Sequence, residues 1–157
     1  MKKSTKILAI VVGLSFIAGS SFAQILPEIM IKMRKAGYDF SAWNIGKIRA
    51  MVEYNPASFN KDQVVAAANA IAAIANSGMG ELYGPGTDKD VGGQKTSVKP
   101  ELFQEQDQVK KLALANIKEA NKLQKVAGTG DVKAIRAQLG KVENSCNACH
   151  ARYKRDF

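Results

Sequence analysis

Both cysteines and the only histidine of this 157-residue chain fall within one pentapeptide, Cys146-Asn147-Ala148-Cys149-His150, seven residues from the C-terminus. Two thiols three apart, followed at once by an imidazole, form the attachment signature of a c-type haem. The thiols add to the two vinyl groups as thioethers and the histidine ligates iron, so all three side chains must point the same way. At 100° per residue, Cys149 lies about 60° to one side of Cys146 and His150 about 40° to the other. The motif therefore has to sit on one face of a helix. A structural zinc site needs four ligands, and no further Cys or His is present to complete it. A thioredoxin-like pair belongs at the start of a helix in a βαβ unit, and nothing in the chain reads as βαβ.

The N-terminus reads as an address, with Met1 to Ala23 a secretory signal peptide. Lys2, Lys3 and Lys6 form a basic head, Ile7 to Ala18 an apolar run short for a membrane span, and Ser21-Phe22-Ala23 a small-x-small cleavage site. An uncleaved anchor is the competing reading, and the fit of the cleavage site favours removal after Ala23. Export to the periplasm agrees with the haem motif, because bacteria attach haem covalently outside the inner membrane. Loss of the three lysines takes the formal net charge from +9 to +6. Such a charge can steer an acidic redox partner, but the lysines are spread along the chain and read mainly as a solvated face. No nucleic-acid motif is present, and no membrane association is expected once the leader is removed.

Residues 24–157 suit one domain. A first helix is expected from Pro27 to about Val52, before Asn55-Pro56, with Met30, Met33, Gly37, Phe40, Ser41, Asn44, Ile45, Ile48, Met51 and Val52 as its inner stripe. Arg34 points into that stripe. A buried guanidinium without a partner is costly, so Arg34 either snorkels to an edge or meets an anion such as a haem propionate. Trp43 lies off the stripe, either covering its own helix or contacting a second subunit. The second helix opens on the capping box Asn60-Lys61-Asp62-Gln63, runs through an alanine-rich segment and stops at Ser77-Gly78. Residues 78–99 form a long connection. Tyr83 within it and Phe103 just beyond either cover a cofactor edge or pack as ordinary loop aromatics. A third helix is expected over about 103–127, with Asn116 the one polar member of its inner stripe. A fourth begins at the cap Asp131 and carries Val132, Ile135, Leu139, Val142, Cys146, Cys149, His150 and Tyr153 inward. The fold class is all-α: an antiparallel four-helix bundle with haem c hung covalently from its C-terminal helix, one per chain.

Taken with Arg34-Lys35-Ala36-Gly37-Tyr38, Trp43-Asn44-Ile45-Gly46-Lys47-Ile48 and Tyr83-Gly84-Pro85-Gly86-Thr87, the C-terminal motif resembles the cytochromes c', the four-helix class II of c-type cytochromes. The resemblance covers essentially all of residues 24–157. It implies Cys146 and Cys149 as the thioether pair, His150 as the axial iron ligand and Arg34 on a propionate. It also implies Tyr38 at the distal position, where the family carries a bulky side chain crowding the vacant iron face, and Lys154 as the basic residue beside the proximal imidazole. Lys35 stands in the pocket where the family often has glutamine. The resemblance further implies a periplasmic homodimer formed through the first two helices, associated with NO and CO binding and with electron transfer.

Three classes of function compete. A peroxidase-like enzyme needs a distal acid/base pair, usually including a histidine, and none is left after His150, so no enzymatic activity is expected. A closed electron carrier needs a sixth ligand, and Met30, Met33, Met51 and Met79 are the candidates. Met33 and Met30 lie five and eight residues before Tyr38, roughly 7.5 and 12 Å along the helix. The remaining class, five-coordinate high-spin iron with Tyr38 as a lid, binds NO and CO and changes oxidation state by one electron. A tyrosinate bond to ferric iron is the outlying variant of it.

Overall fold

A proline at the first helical turn, two side-chain caps and two turn-forming segments divide the chain into helices, and a computed structural model describes residues 26–155 of it. The signal peptide read over residues 1–23 lies outside the described residues. Helix α1 spans Pro27–Arg49, α2 Lys61–Ala75, α3 is the single turn Glu101–Gln104, α4 spans Gln106–Ala127 and α5 Val132–Tyr153. The four long helices form the bundle: α1 packs on α2, α2 on α4, and α4 on α5, while α1 and α5 meet only sparsely. Among the described residues there are no strands, only the isolated bridges Val91–Gln94 and Val98–Lys154.

Local chemistry explains the helix starts. The Asn60 side chain accepts the Gln63 N–H at 3.0 Å and Asp131 accepts the Ala134 N–H at 3.0 Å, each satisfying an otherwise orphaned donor. The first helix passes beyond Arg49 into a π turn over Ala50–Tyr54, marked by the Asn55 N–H donating to Ala50 O at 2.8 Å, before Pro56 stops it. The helix expected from Phe103 instead begins as α3 and breaks at Glu105 (φ −109°, ψ 46°) before α4. That break is met by tertiary bonds, because the Glu105 carboxylate accepts from Tyr153 Oη at 2.6 Å and from Arg152 Nη2 at 2.7 Å.

The inner stripe assigned to α1 needs correction. Ile31, Arg34, Asn44 and Ile48 are the buried residues of α1, with Met51 and Val52 buried in the π turn, whereas Met33 and Phe40 are 48% and 54% exposed. Helix α1 carries two apolar stripes. One faces the bundle; the other, Ile29, Met33, Ala36, Phe40 and Trp43, repeats at spacings of four and three and faces outward. Met33 and Phe40 sit near the boundary between the two faces, where helical periodicity admits either assignment.

The interior divides into two clusters. The larger contains Ile48, Met51, Val64, Ala67, Leu123, Ile135, Leu139 and Val142, and the smaller contains Val98, Leu102 and Tyr153. Between α2 and α3, the connection is strapped along the first half of α1. Gly92 (φ +55°) lies so close to Glu28 that a Cβ there would collide with its carboxylate, and one at Gly84 would stand 2.9 Å from Met30 Sδ. The end of the strap is pinned to the end of α5: the Lys99 N–H donates to Tyr153 O at 2.9 Å, and the Arg155 N–H to Ser97 O at 2.7 Å.

Candidate haem-binding site

The two thiols of α5 are free and partly buried, and each belongs to a different apolar cluster. Cys146 packs against the larger, whereas Cys149 packs against the smaller, together with Tyr83, Phe103, Val109 and Leu112. Burial pushes both thiols above the usual cysteine range. Asn116, the lone polar member of the α4 stripe, donates to Ser145 Oγ at 2.9 Å and to Cys146 Sγ at 3.4 Å. Its polarity on an apolar face was the sequence signal, but its partners lie 29 and 30 residues away and only the packing of α4 on α5 joins them.

His150 is exposed, which corrects its placement on the buried face of α5. The motif's last residue lies at the rim between the smaller cluster and solvent, one turn from the helix end. Partial desolvation, and then the charge of Lys154, hold its imidazole below the ordinary histidine range. Neutral imidazole is the form that binds metal. Lys154 is exposed, and its backbone N–H closes the helix on His150 O at 3.0 Å.

Three predicted pocket residues come together on the α1 side. The Tyr83 hydroxyl donates to the Tyr38 hydroxyl at 3.2 Å, and the Arg34 guanidinium lies 4.6 Å from the Tyr83 ring centroid. Burial raises both phenols above their usual range, and both cysteines add to the rise at Tyr38. Tyr38 therefore shares its surroundings with the thiols of α5, although it remains 45% exposed. Lys35 points to solvent.

Arg34 is 3% exposed, so it does not snorkel. Its Nη1 donates to Leu82 O at 3.1 Å, and its Nη2 to Thr87 O at 2.8 Å and Thr96 Oγ1 at 2.5 Å. Burial lowers its pKa, opposed by the two tyrosines. Among the described residues, none of these partners is a carboxylate, and the guanidinium's first duty is to hold the strap. Arg34→Leu leaves two loop carbonyls without their donor and takes from the Thr96 hydroxyl one of its two, the Val98 N–H remaining. We expect it to destabilise the holoprotein by about 2–4 kcal/mol, from the cost of unsatisfied buried polar groups, measured by urea denaturation. An unchanged midpoint would show that the strap holds without it.

These residues fit a covalently held haem. Two free thiols stand on one helical face at the joint of two apolar clusters, a neutral imidazole follows them, and aromatic side chains flank them. A cavity of about 270 Å³ opens beside Cys146 at the sparse α1–α5 seam, lined by Ala42, Ile45, Gly46, Arg49, Glu143 and Asn147. An Arg49–Glu143 ion pair spans that seam.

Comparison with known proteins agrees. The family model described as Cytochrome C' matches residues 29–154. The cytochrome c' of Allochromatium vinosum is 52% identical over 132 residues, covering 84% of each chain. A solved cytochrome c' described by an unusual ligand-controlled dimer dissociation matches with a TM-score of 0.82 and 51% identity, covering 85% of this chain and all of that one. Variants of the Alcaligenes xylosoxidans protein, solved with NO bound and with CO bound, match at 26% identity, the NO form with a TM-score of 0.73 over 85% of this chain and 98% of that one. The family binds c-type haem covalently, and Cys146 and Cys149 stand where that attachment requires thiols. With the match running from the first turn of α1 to the residue after α5, and half of the aligned positions identical to a family member, the chain belongs to the cytochrome c' family.

Proposed function

We propose that this protein is an exported periplasmic haem protein whose iron is five-coordinate and high-spin at rest, and which binds NO and CO and takes part in one-electron transfer rather than enzymatic turnover. Bound haem supplies the iron that takes the gas and changes oxidation state. The chain does the rest. Cys146 and Cys149 would anchor the group, Asn116 positions Cys146, and His150 would provide a nitrogen to its iron, the imidazole being kept neutral first by partial desolvation and then by the charge of Lys154. Tyr38 stands as a lid over the gas position, with Tyr83 and Phe103 closing the apolar wall on the Cys149 side. Arg34, its N–H groups engaged on the strap, and Lys35 at the surface add positive charge to the α1 side of the site.

The observation that carries the open-site reading is where the methionines lie. Met30 packs against Gly84 of the strap, and Met79 lies against Gly37 on the flank shared with Ile74 of α2. Met33 faces outward and Met51 belongs to the larger core cluster. A sixth ligand from any of them requires repacking. The raised phenol pKa of Tyr38 keeps it protonated and a poor ligand. Gas binding is also supported by the NO and CO complexes of the related Alcaligenes protein. Among the described residues, no helix is long and apolar enough to cross a membrane.

Ferric and ferrous visible spectra test this reading through spin state and ligation. High-spin spectra in both states are expected, and Tyr38→Ala should accelerate CO association by about tenfold or more, equivalent to a barrier lowered by roughly 1.4 kcal/mol. A low-spin ferrous spectrum of the His/Met type, or CO kinetics indifferent to Tyr38→Ala, would support the closed electron carrier instead.

The outward stripe of α1 supports a homodimer. Ile29, Met33, Phe40 and Trp43 are 40–65% exposed on one face. A contiguous apolar seam of this kind marks an interaction surface. The related structure with ligand-controlled dimer dissociation points to a second copy of the chain as its occupant.

A further inference from the structure

We infer that Tyr83 is a latch for the distal lid: its hydroxyl holds Tyr38 in the closed position, so the rate at which gases enter is set by breaking the Tyr83–Tyr38 hydrogen bond as well as by the bulk of Tyr38. The inference rests on the reading of Tyr38 as the lid, and it assigns a rate-determining role to a residue on a separate element, 45 positions away.

The two partners of this bond are held very differently. Tyr83 is a fixed post. Its ring packs with Phe103 and Cys149 against Val98, Leu102 and Tyr153, and its face is covered by the Arg34 guanidinium at 4.6 Å. Its backbone N–H donates to Gly80 O at 3.2 Å, and the preceding carbonyl, Leu82 O, accepts from Arg34 at 3.1 Å. Four residues further on, the strap is clamped again by Thr87, whose side-chain hydroxyl and backbone N–H both donate to Gly84 O. Tyr38, by contrast, is 45% exposed, and its recorded side-chain hydrogen bond is the one to Tyr83. When an incoming ligand needs the space, Tyr38 is the partner free to rotate about its side-chain bonds, and the bond at 3.2 Å is what it must break. Arg34 acts through Tyr83 as a positioning residue, because it fixes both the ring and the chain that carries it.

A neutral hydrogen bond of this kind contributes a modest net free energy, so its loss should change the opening rate by about threefold to tenfold. The experiment measures CO association by flash photolysis in the holoprotein and in Tyr83→Phe, Tyr38→Phe, the double variant and Tyr38→Ala. Phenylalanine keeps the bulk of each ring and removes only the hydroxyl. Tyr83→Phe and Tyr38→Phe should each accelerate binding by about threefold to tenfold. The double variant should be no faster than either single one, because the same bond is lost once. Tyr38→Ala should be faster than all three. Ultraviolet resonance Raman of the tyrosines, recorded without gas, gives a second readout: Tyr83→Phe should change the hydrogen-bonding signature of the remaining Tyr38, which general loosening of the fold would not do. If Tyr83→Phe leaves the rate unchanged while Tyr38→Ala accelerates it, or if the two Phe effects multiply, the latch is overturned and the lid stands. If Tyr38→Ala is also without effect, the lid reading fails as well.

Discussion

Export of a chain carrying Cys146→Ser together with Cys149→Ser is expected to yield a mature protein without covalent haem and with the bundle largely unfolded under conditions where the native protein is folded. Serine is close to cysteine in size, so the loss comes from the missing thioethers and not from packing of the side chain itself. The two thiols belong to different clusters, Cys146 to the one built on Ile135, Leu139 and Val142 and Cys149 to the one built on Val98, Leu102 and Tyr153. A group anchored to both joins two apolar regions that the chain alone leaves separate. Removing it exposes the facing sides of both. The fall in stability should exceed the about 2–5 kcal/mol of a single large-to-small core substitution, because the void is far larger than one side chain. Single variants should keep one thioether and lower stability less. Mass spectrometry of the exported chain, with circular dichroism of the same sample, checks both parts. A mature chain of unmodified mass in the wild type, folded normally, would sink the attachment reading. A double variant as stable as wild type would sink the structural role of the haem.

Trp43→Ala is expected to weaken self-association by about 30-fold or more, the scale of an interfacial aromatic hot spot worth roughly 2 kcal/mol or more. Trp43 is the most exposed large side chain of the outward α1 stripe, at 65%, with Phe40 three residues earlier at 54%. Fully burying an aromatic or branched side chain contributes about 1.5–3 kcal/mol, and roughly half of that remains to be gained by these half-exposed residues, so four from each copy together contribute about 6–12 kcal/mol against the entropy of association. The alanine-rich α2, with Ala66 and Ala73 exposed, lets a second copy approach closely. Sedimentation velocity over a micromolar range measures the effect, and Phe40→Ala should act in the same direction. Lys35 serves as a control, since it is exposed on α1 but lies off the apolar stripe. A wild type that stays monomeric at every accessible concentration would refute the dimer. A dimer indifferent to both Trp43→Ala and Phe40→Ala would move the interface off α1.

Much of this molecule is determined locally, and that part is legible in the sequence. The spacing of Cys146, Cys149 and His150 specifies a helix and a cofactor class, because the chemistry of attachment tolerates little else, and it makes His150 the iron ligand to propose. Asn60 and Asp131 mark helix starts because a cap acts within three residues of itself. Pro56 and Gly128-Thr129-Gly130 mark ends for similarly short-range reasons.

What the tertiary structure decided are the features whose partners are distant along the chain. Periodicity shows that α1 is apolar on more than one side but not which side meets α2 and α5, so Met33 and Phe40, which fit an inward stripe by spacing, stand outward. Arg34 could be recognised as costly to bury, yet its partners Leu82 O, Thr87 O and Thr96 Oγ1 lie 48 to 62 residues away, on a strap whose path no local rule specifies. The break at Glu105 is invisible in helix propensity because the groups that reward it, Arg152 and Tyr153, belong to another helix. The same holds for Asn116 with Cys146 and for Tyr83 with Tyr38. Short-range steric and hydrogen-bonding preferences write the helices and the haem motif into the sequence, whereas the pairings that orient the site arise only when packing brings remote side chains within a few ångströms.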